Sequence, residues 1–507
     1  MRESLMGKKI DEIVIVGGGA SGWMAAAMLA KMLGKGRKIT LIESADIGII
    51  GVGEATIPAI KLFNKVLGIN EADFMKHTQA TFKLGIQFED WGKKGDSYMH
   101  AFGLIGAPIG PSNFYNYWLK LNAKGDCNNL WNYSLNSKAA QLDKFECSIP
   151  PHKNSSDKLN YAYHFDAVMY AKYLSQYSQS LGVKRIEANV TKVNLDHETG
   201  FITSLLLGHG KTISGDLFID CTGFKALLIE EALKTGYDDW SHWLPINSAV
   251  AVPSKKTDGN IPAFTRSIAH ECGWQWKIPL QHRNGNGFVY SNKYMNKDEA
   301  TKTLLDNIDE ESLSEPKHFH FTTGKRKKLW NKNCVAIGLS SGFLEPLEST
   351  SLYLVQPGII RLIKLFPSLS FSPEETLEYN EQANNEFECI RDFIILHYKA
   401  TDRSDSLFWE ERQAASIPAS LQHKINLFKE NGRIFKSEGD IFAEEAWVQV
   451  MVGQGITPNS VDVVTEQSDN AQIKQVLRNI SEKQDNYIKN MANHNDFIKM
   501  YCQSSPY

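Results

Sequence analysis

Glu12-Ile13-Val14-Ile15-Val16-Gly17-Gly18-Gly19-Ala20-Ser21-Gly22 is the stretch that decides the fold. Its first five residues read as a buried strand. The next six contain Gly-x-Gly-x-x-Gly, and Trp23 to Leu33, rich in alanine and methionine, reads as a helix that Gly34 stops. Lys38 to Ile42 is the following strand and ends at Glu43. A β-α-β unit of this kind implies a parallel sheet. Gly17 permits the tight strand-to-helix turn, Gly19 lets a pyrophosphate approach the backbone, and Gly22 lets helix and sheet pack closely. The helix start offers unpaired N–H groups and a positive dipole end to that anion. Glu43, about 20 residues on, is placed to accept from ribose hydroxyls. The unit therefore binds a nucleotide cofactor.

Two later apolar runs extend the same module: Asp216 to Asp220, leading into Cys221-Thr222-Gly223, and Cys334 to Gly338. A distant strand ending in Thr-Gly favours FAD over NAD, since flavoproteins of this fold often close over the cofactor with such a segment. The predicted fold class is α/β and flavoprotein monooxygenase-like. It has a Rossmann-type FAD-binding module, an inserted β-rich substrate region and a helical C-terminal part. The module is expected to be discontinuous, over 1–100, 183–225 and 320–372, with 101–182 and 226–319 inserted on the substrate side. From 373 to 507 the chain is rich in helix formers. Ser372-Pro373-Glu374-Glu375 reads as a helix start, with Ser372 as cap and Glu375 reaching back.

The bulk properties narrow the class. A chain of 507 residues, 42% hydrophobic and 22% charged, has the composition of an ordinary soluble protein. A formal net charge of -3 gives no reason to expect nucleic acid or an anionic membrane as partner. No apolar stretch has the length needed to span a bilayer. Met1 to Lys9 is polar and the first apolar run ends in glycines, so that run is read as a core strand rather than a signal peptide. The seven cysteines are scattered without a Cys-x-x-Cys pair. Reduced thiols in a cytoplasmic protein, with no metal site, are the expectation.

Further motifs follow in chain order. Gly17 to Met24 continues the glycine loop into Gly-Trp-Met. Gly51-Val52-Gly53-Glu54-Ala55-Thr56-Ile57-Pro58 comes after the second strand. Phe82-Lys83-Leu84-Gly85-Ile86 is accompanied by Phe88 and Trp91. Gly273-Trp274-Gln275-Trp276-Lys277-Ile278-Pro279 and Leu344-Glu345-Pro346-Leu347-Glu348-Ser349-Thr350 complete the set. Together these five segments resemble the flavin-dependent halogenases, the tryptophan halogenase family.

The resemblance implies a reaction. Reduced FAD, oxygen and a halide ion yield hypohalous acid, which travels inside the protein to an electron-rich aromatic ring. Such an oxidant must be confined and aimed. The resemblance makes Lys83 and Glu348 the catalytic pair. A lysine among Phe82, Leu84 and Ile86 is open to desolvation, which favours the neutral amine that hydrogen-bonds hypohalous acid or becomes a haloamine. A carboxylate at Glu348 can stabilise the cationic ring intermediate, orient the electrophile or take the proton. Glu345 is the lower-ranked alternative. Backbone N–H groups of Thr350 and Ser351 resemble the halide contacts at a helix start, although the family often has glycine where Ser351 stands. Pro357 further along is expected to kink or stop that helix. Cofactor contacts are expected at Gly17, Gly19, Ala20, Gly22, Glu43, Ala55 and Gly338. Trp274 and Trp276 correspond to a segment near the flavin.

Substrate residues are less marked. His100 and Phe102 resemble the pair that sandwiches an aromatic substrate, with Ala101 where the family usually has proline. The residues with which free-tryptophan halogenases grip the amino acid are missing between Phe435 and Trp447, and only Trp447 remains as an aromatic wall. An indole, or a larger indole compound, is therefore expected over free tryptophan, with chloride, bromide or iodide as halide. The chain lacks a second, nicotinamide-type glycine loop, so a separate NAD(P)H-dependent flavin reductase is the expected partner. A monomer or homodimer is expected. The competing reading is a flavin-dependent aromatic hydroxylase, which needs the glycine loop, Glu43 and Thr222-Gly223 but not Lys83 or Glu348.

Overall fold

The structure is a computed structural model, and it describes residues 9–44, 53–147, 158–256 and 259–505. Gly51 and Val52 of the second motif lie outside the described residues.

The opening β-α-β unit forms as its sequence predicts. Strand Glu12–Val16 leads through the glycine loop into helix Ala20–Leu33, and strand Lys38–Glu43 runs parallel to the first. The helix is buried continuously from Gly22 to Ala30, which explains its uniformly apolar sequence. Strands Leu217–Asp220 and Cys334–Ala336 join on the other side of Glu12–Val16, both parallel. Lys184–Glu187 pairs with Lys38–Glu43 and the short antiparallel Trp330–Asn331 closes the far edge, giving a six-stranded sheet. Chain segments far apart in sequence thus meet in one sheet, whose strand ends carry the glycine loop.

A second, seven-stranded sheet faces the cofactor side. Its order is Lys317–His320, Ser248–Lys255, Arg283–Tyr290, Gly273–Pro279, Thr265–His270, Gly85–Glu89 and Ser97–Ala101. A small three-stranded sheet lies beside it, with Ala162–Asp166 between Gly53–Ala55 and Thr81–Lys83. Lys83 therefore ends a strand of one sheet, and Gly85 begins a strand of another. A Cβ at Gly85 would lie 2.5 Å from the carbonyl oxygen of His100, so only glycine allows the Ser97–Ala101 strand to come this close. Phe102 N–H donates to the Leu84 carbonyl at 2.8 Å and fixes the approach.

The C-terminal part is helical, led by Pro373–Lys399. Two local expectations need correction. Ser372 makes no side-chain cap; its hydroxyl donates to Glu374 at 2.9 Å, so the Glu375 capping box does not form. Pro357 does not stop its helix, which runs Ser351–Lys364. Burial of Val355, Ile359 and Leu362 in the core compensates for the lost backbone hydrogen bond. Among the described residues no helix is long and apolar enough to cross a membrane.

Candidate active site

The glycine loop opens onto a cleft of about 760 Å³ that is lined by Gly17, Gly18, Gly19, Ala20, Glu43 and Gly338, among others. That volume lies in the ordinary range for a cofactor site. The loop glycines differ in what they do. A Cβ at Gly17 would fall 2.1 Å from the Cys221 carbonyl oxygen, and one at Gly22 would fall 1.9 Å from the Gly17 carbonyl oxygen. Both are packing glycines. A Cβ at Gly19 would meet nothing within 4 Å, so its backbone faces open space. Gly19 also caps helix Ala20–Leu33 without a side chain, leaving the first-turn N–H groups free for an anion. Gly338 has φ +79° and sits against Ser21, where a Cβ would come within 2.7 Å. These features fit the pyrophosphate and ribityl parts of FAD. Glu43 accepts from Trp23 Nε1 at 3.2 Å and pairs with Arg185, a cleft residue that the sequence reading did not single out.

The cleft continues into a smaller, apolar chamber of about 150 Å³. Glu54, Phe224, Leu339 and Ser351 line both spaces. Ala55, Trp274 and Trp276 line the chamber alone. The two tryptophans are two residues apart on one strand, so they share a face, with ring centroids 6.1 Å apart. A flat, largely apolar ring system fits such walls. Burial, reinforced by the negative charge of Asp166, lifts the Glu54 carboxyl to about 7.

The chamber's far wall is the turn Pro346–Glu348 followed by Ser349, Thr350 and helix Ser351–Lys364. Ser349 has φ +59°, a left-handed conformation that costs a non-glycine residue about 1–2 kcal/mol. The twist sends two neighbouring side chains to different partners. The Ser349 hydroxyl accepts from Lys83 Nζ at 2.7 Å. Glu348 instead meets His100 Nδ1 at 2.7 Å and His397 Nε2 at 2.8 Å. Lys83 and Glu348 are both essentially inaccessible to solvent. Burial lowers the Lys83 ammonium to about 7, against the opposing pull of Glu348. Burial alone would raise Glu348, but His100 and then His397 outweigh it and hold the carboxyl at about 2. Thr350 is the helix N-cap, so its N–H and that of Ser351 lie in the first turn, where no intrahelical acceptor exists. Glu345 is buried elsewhere: it accepts from Tyr398 at 2.5 Å, and burial raises it to about 7. Of the two carboxylates, only Glu348 is fully ionised at neutral pH.

The structure thus brings together Lys83, Glu348, His100, Phe102, Thr350 and Ser351. Phe102 presents its ring 5.3 Å from Lys83 Nζ. Trp447 sits one ring further away. His100 has Phe393 and Phe442 as aromatic neighbours, at 5.6 and 6.1 Å, while Trp447 packs edge-on against Phe393 at 4.8 Å. In the sequence Ser349 has no role beyond its place in a motif, and His397 and Gln449 lie outside every motif. For His397 there was a faint signal, a lone histidine in the apolar run Ile394-Ile395-Leu396-His397-Tyr398.

Gln449 positions the strand that carries His100. Ser97–Ala101 is the sheet's edge, and the Gln449 side chain completes it, accepting from Ala101 N–H at 2.9 Å and donating to Ala101 C=O at 3.1 Å. Gln449→Leu would leave two buried backbone groups without partners, at a cost of about 2 kcal/mol. Faster hydrogen–deuterium exchange over residues 97–102 is the expected result; unchanged protection would remove Gln449 from this role.

Comparison with known proteins agrees with this geometry. The family model described as tryptophan halogenase matches residues 12–470. Tryptophan 6-halogenase SttH from Streptomyces toxytricini is 36% identical over 440 residues, covering 83% of this chain and 84% of that protein. Among solved structures, Xcc4156, a flavin-dependent halogenase from Xanthomonas campestris, superposes with a TM-score of 0.95 at 45% identity, covering 99% of this chain and 100% of the other. BrvH, a flavin-dependent halogenase from Brevundimonas sp. BAL3, gives 0.93 at 40% identity, over 97% and 99%. A glycine cradle, an apolar chamber and a buried lysine beside an ionised glutamate, matched along nearly the whole chain, identify this protein as a flavin-dependent halogenase of the tryptophan halogenase family.

Proposed function

We propose that the enzyme installs chlorine or bromine, and also iodine, on a neutral, electron-rich aromatic ring, with an indole as the preferred class. Bound as FADH2, the cofactor supplies the two electrons with which O2 and halide become hypohalous acid. A separate NAD(P)H-dependent flavin reductase delivers that reduced flavin. The observation that carries the reading is the hydrogen bond from the buried Lys83 amine to Ser349, whose neighbour Glu348 is clamped by two histidines.

Each residue has a physical task. The glycine loop and the Ala20–Leu33 helix start hold the cofactor's pyrophosphate. First-turn N–H groups at Thr350 and Ser351 hold the halide against the chamber wall. Ser349 lines the chamber, so Lys83 stands one hydroxyl away from where hypohalous acid forms. Being close to half neutral at pH 7, its amine can accept a hydrogen bond from that acid and hand on the halogen. His100 and Phe102 flank the ring that receives it. Glu348 supplies a fixed negative charge beside that ring.

The neutral substrate follows from electrostatics. A zwitterion entering a site exchanges water for specific hydrogen bonds, and an unsatisfied buried charge is costly. Lys424, which lies 4.5 Å over the Trp447 ring, is already committed to Asp440. A neutral indole needs only aromatic walls. Supplied with FADH2 and bromide, the enzyme is expected to halogenate indole at least tenfold more efficiently in kcat/KM than free L-tryptophan, a difference of about 1.4 kcal/mol. Competition at equal concentrations, read by product mass, checks this. A preference for tryptophan would overturn the substrate class, and hydroxylated product in place of halogenated product would overturn the reaction.

A further inference from the structure

The chamber has a neighbour on the same sheet. Ala249 lies opposite Phe319 and Ala251 opposite Lys317, so alternation puts all four on one face. Ala249 and Phe319 line the chamber. Ala251, Arg283, Gly285, Ser314, Lys317 and again Phe319 line a separate cavity of about 60 Å³. The Phe319 side is thus common to both spaces. Ser314 and Lys317 are exposed and mark the outer end, while Arg283 is buried at the inner end.

The charges of this cavity favour one kind of guest. Arg283 donates from Nη2 to Asp166 at 2.7 Å, but its buried Nη1 has no acceptor in the protein. The Asp166 carboxylate is divided between that guanidinium and the N–H groups of Val168 and Met169 at the start of the next helix. At the outer end Glu311 is paired with Lys255, whereas Lys317 extends from an exposed strand position, with Glu315 two residues before it. A guanidinium with a spare donor and an ammonium therefore serve one small space. That space exceeds the roughly 15 Å³ that one water-sized species requires, yet is far below what an indole occupies.

We propose that this cavity is a small-anion site through which halide reaches the cofactor chamber past Phe319. The inference rests on the halogenase reading above. The large cleft shares Glu54, Phe224, Leu339 and Ser351 with the chamber, so a cofactor bound there fills the other way in. A halide must still arrive in each turnover, and a positively lined side passage on the sheet face answers that need.

Two measurements test it. Crystals of the flavin-free protein soaked in bromide are expected to show an anomalous peak between Arg283 and Lys317. Lys317→Glu, an exposed substitution that leaves the fold alone, is expected to remove that peak. In the enzyme supplied with FADH2 it should raise the KM for bromide about fivefold while the KM for the arene stays put. Absence of the peak in the wild-type protein overturns the anion site. A peak together with an unchanged bromide KM in Lys317→Glu means an adventitious ion only and overturns the passage. Failure of the wild-type enzyme to halogenate any arene would instead sink the reading of the reaction, and the bromide map would then decide the anion site by itself.

Discussion

Lys83→Ala is expected to abolish halogenated product, by about a thousandfold or about 4 kcal/mol of barrier, while oxidation of reduced flavin continues at its normal rate. The separation follows from the geometry. Lys83 is reached from the chamber through Ser349, so in the proposed reaction it acts after the halide has been oxidised and does not line the cofactor cleft. Folding should survive the change, because removing a fully buried amine also removes its desolvation cost. A pH dependence comes with the assignment. Burial brings the amine to about 7, and the neutral form is the one that accepts a proton or a halogen. Wild-type halogenation should therefore rise with pH through about 7 and then level off. Lys83→Arg, which stays charged throughout, should be as inactive as the alanine variant. Product mass and stopped-flow flavin oxidation, measured side by side, check both points. More than a tenth of wild-type product from Lys83→Ala would take the residue out of the mechanism.

The parts of this site that a reader of the sequence can see are those set by local rules. Gly17 to Gly22 announces itself because a strand, a tight turn and a helix start demand glycine at fixed offsets. Lys83 and Glu348 stood out because they fall within motifs of a known family. Other parts depend on tertiary meetings that leave no local trace. Arg185 reaches Glu43 because the Lys184–Glu187 strand joins the sheet beside Lys38–Glu43, although the two residues lie 142 positions apart in the chain. Gln449 completes a sheet edge nearly 350 residues away, and a glutamine in an apolar helix carries no sign of that. Nothing local in the sequence marks Ser349, whose left-handed φ and hydrogen bond from Lys83 arise only in the folded chain. The failed capping box at Ser372 is the converse, a local rule outcompeted by a nearer carboxylate, that of Glu374.

Glu348→Gln is expected to lower the halogenation rate by a factor of about a hundred, or about 3 kcal/mol, without changing the regiochemistry of the residual product. The structure bears on which of three tasks the carboxylate performs. His397 faces an acceptor at each ring nitrogen, the Phe393 carbonyl oxygen at 2.8 Å from Nδ1 and Glu348 at 2.8 Å from Nε2. With His100 on the other oxygen, Glu348 is held at about 2, too acidic to be an efficient proton acceptor near neutrality. Its charge, by contrast, is permanent, fixed and dry, which is the condition under which a carboxylate best stabilises a developing cation. The amide keeps the shape and loses the charge. The two tasks separate experimentally through an arene deuterated at the reacting carbon. If Glu348 acts by charge, Glu348→Gln slows halogenation with no primary isotope effect, since the loss of the proton stays fast. If Glu348 is the base, the variant makes proton loss limiting and the effect appears. A near-normal rate would leave Glu348 with only its ties to His100 and His397. Circular dichroism of the variant guards against the trivial cause, because altering a buried, hydrogen-bonded carboxylate can itself destabilise the fold.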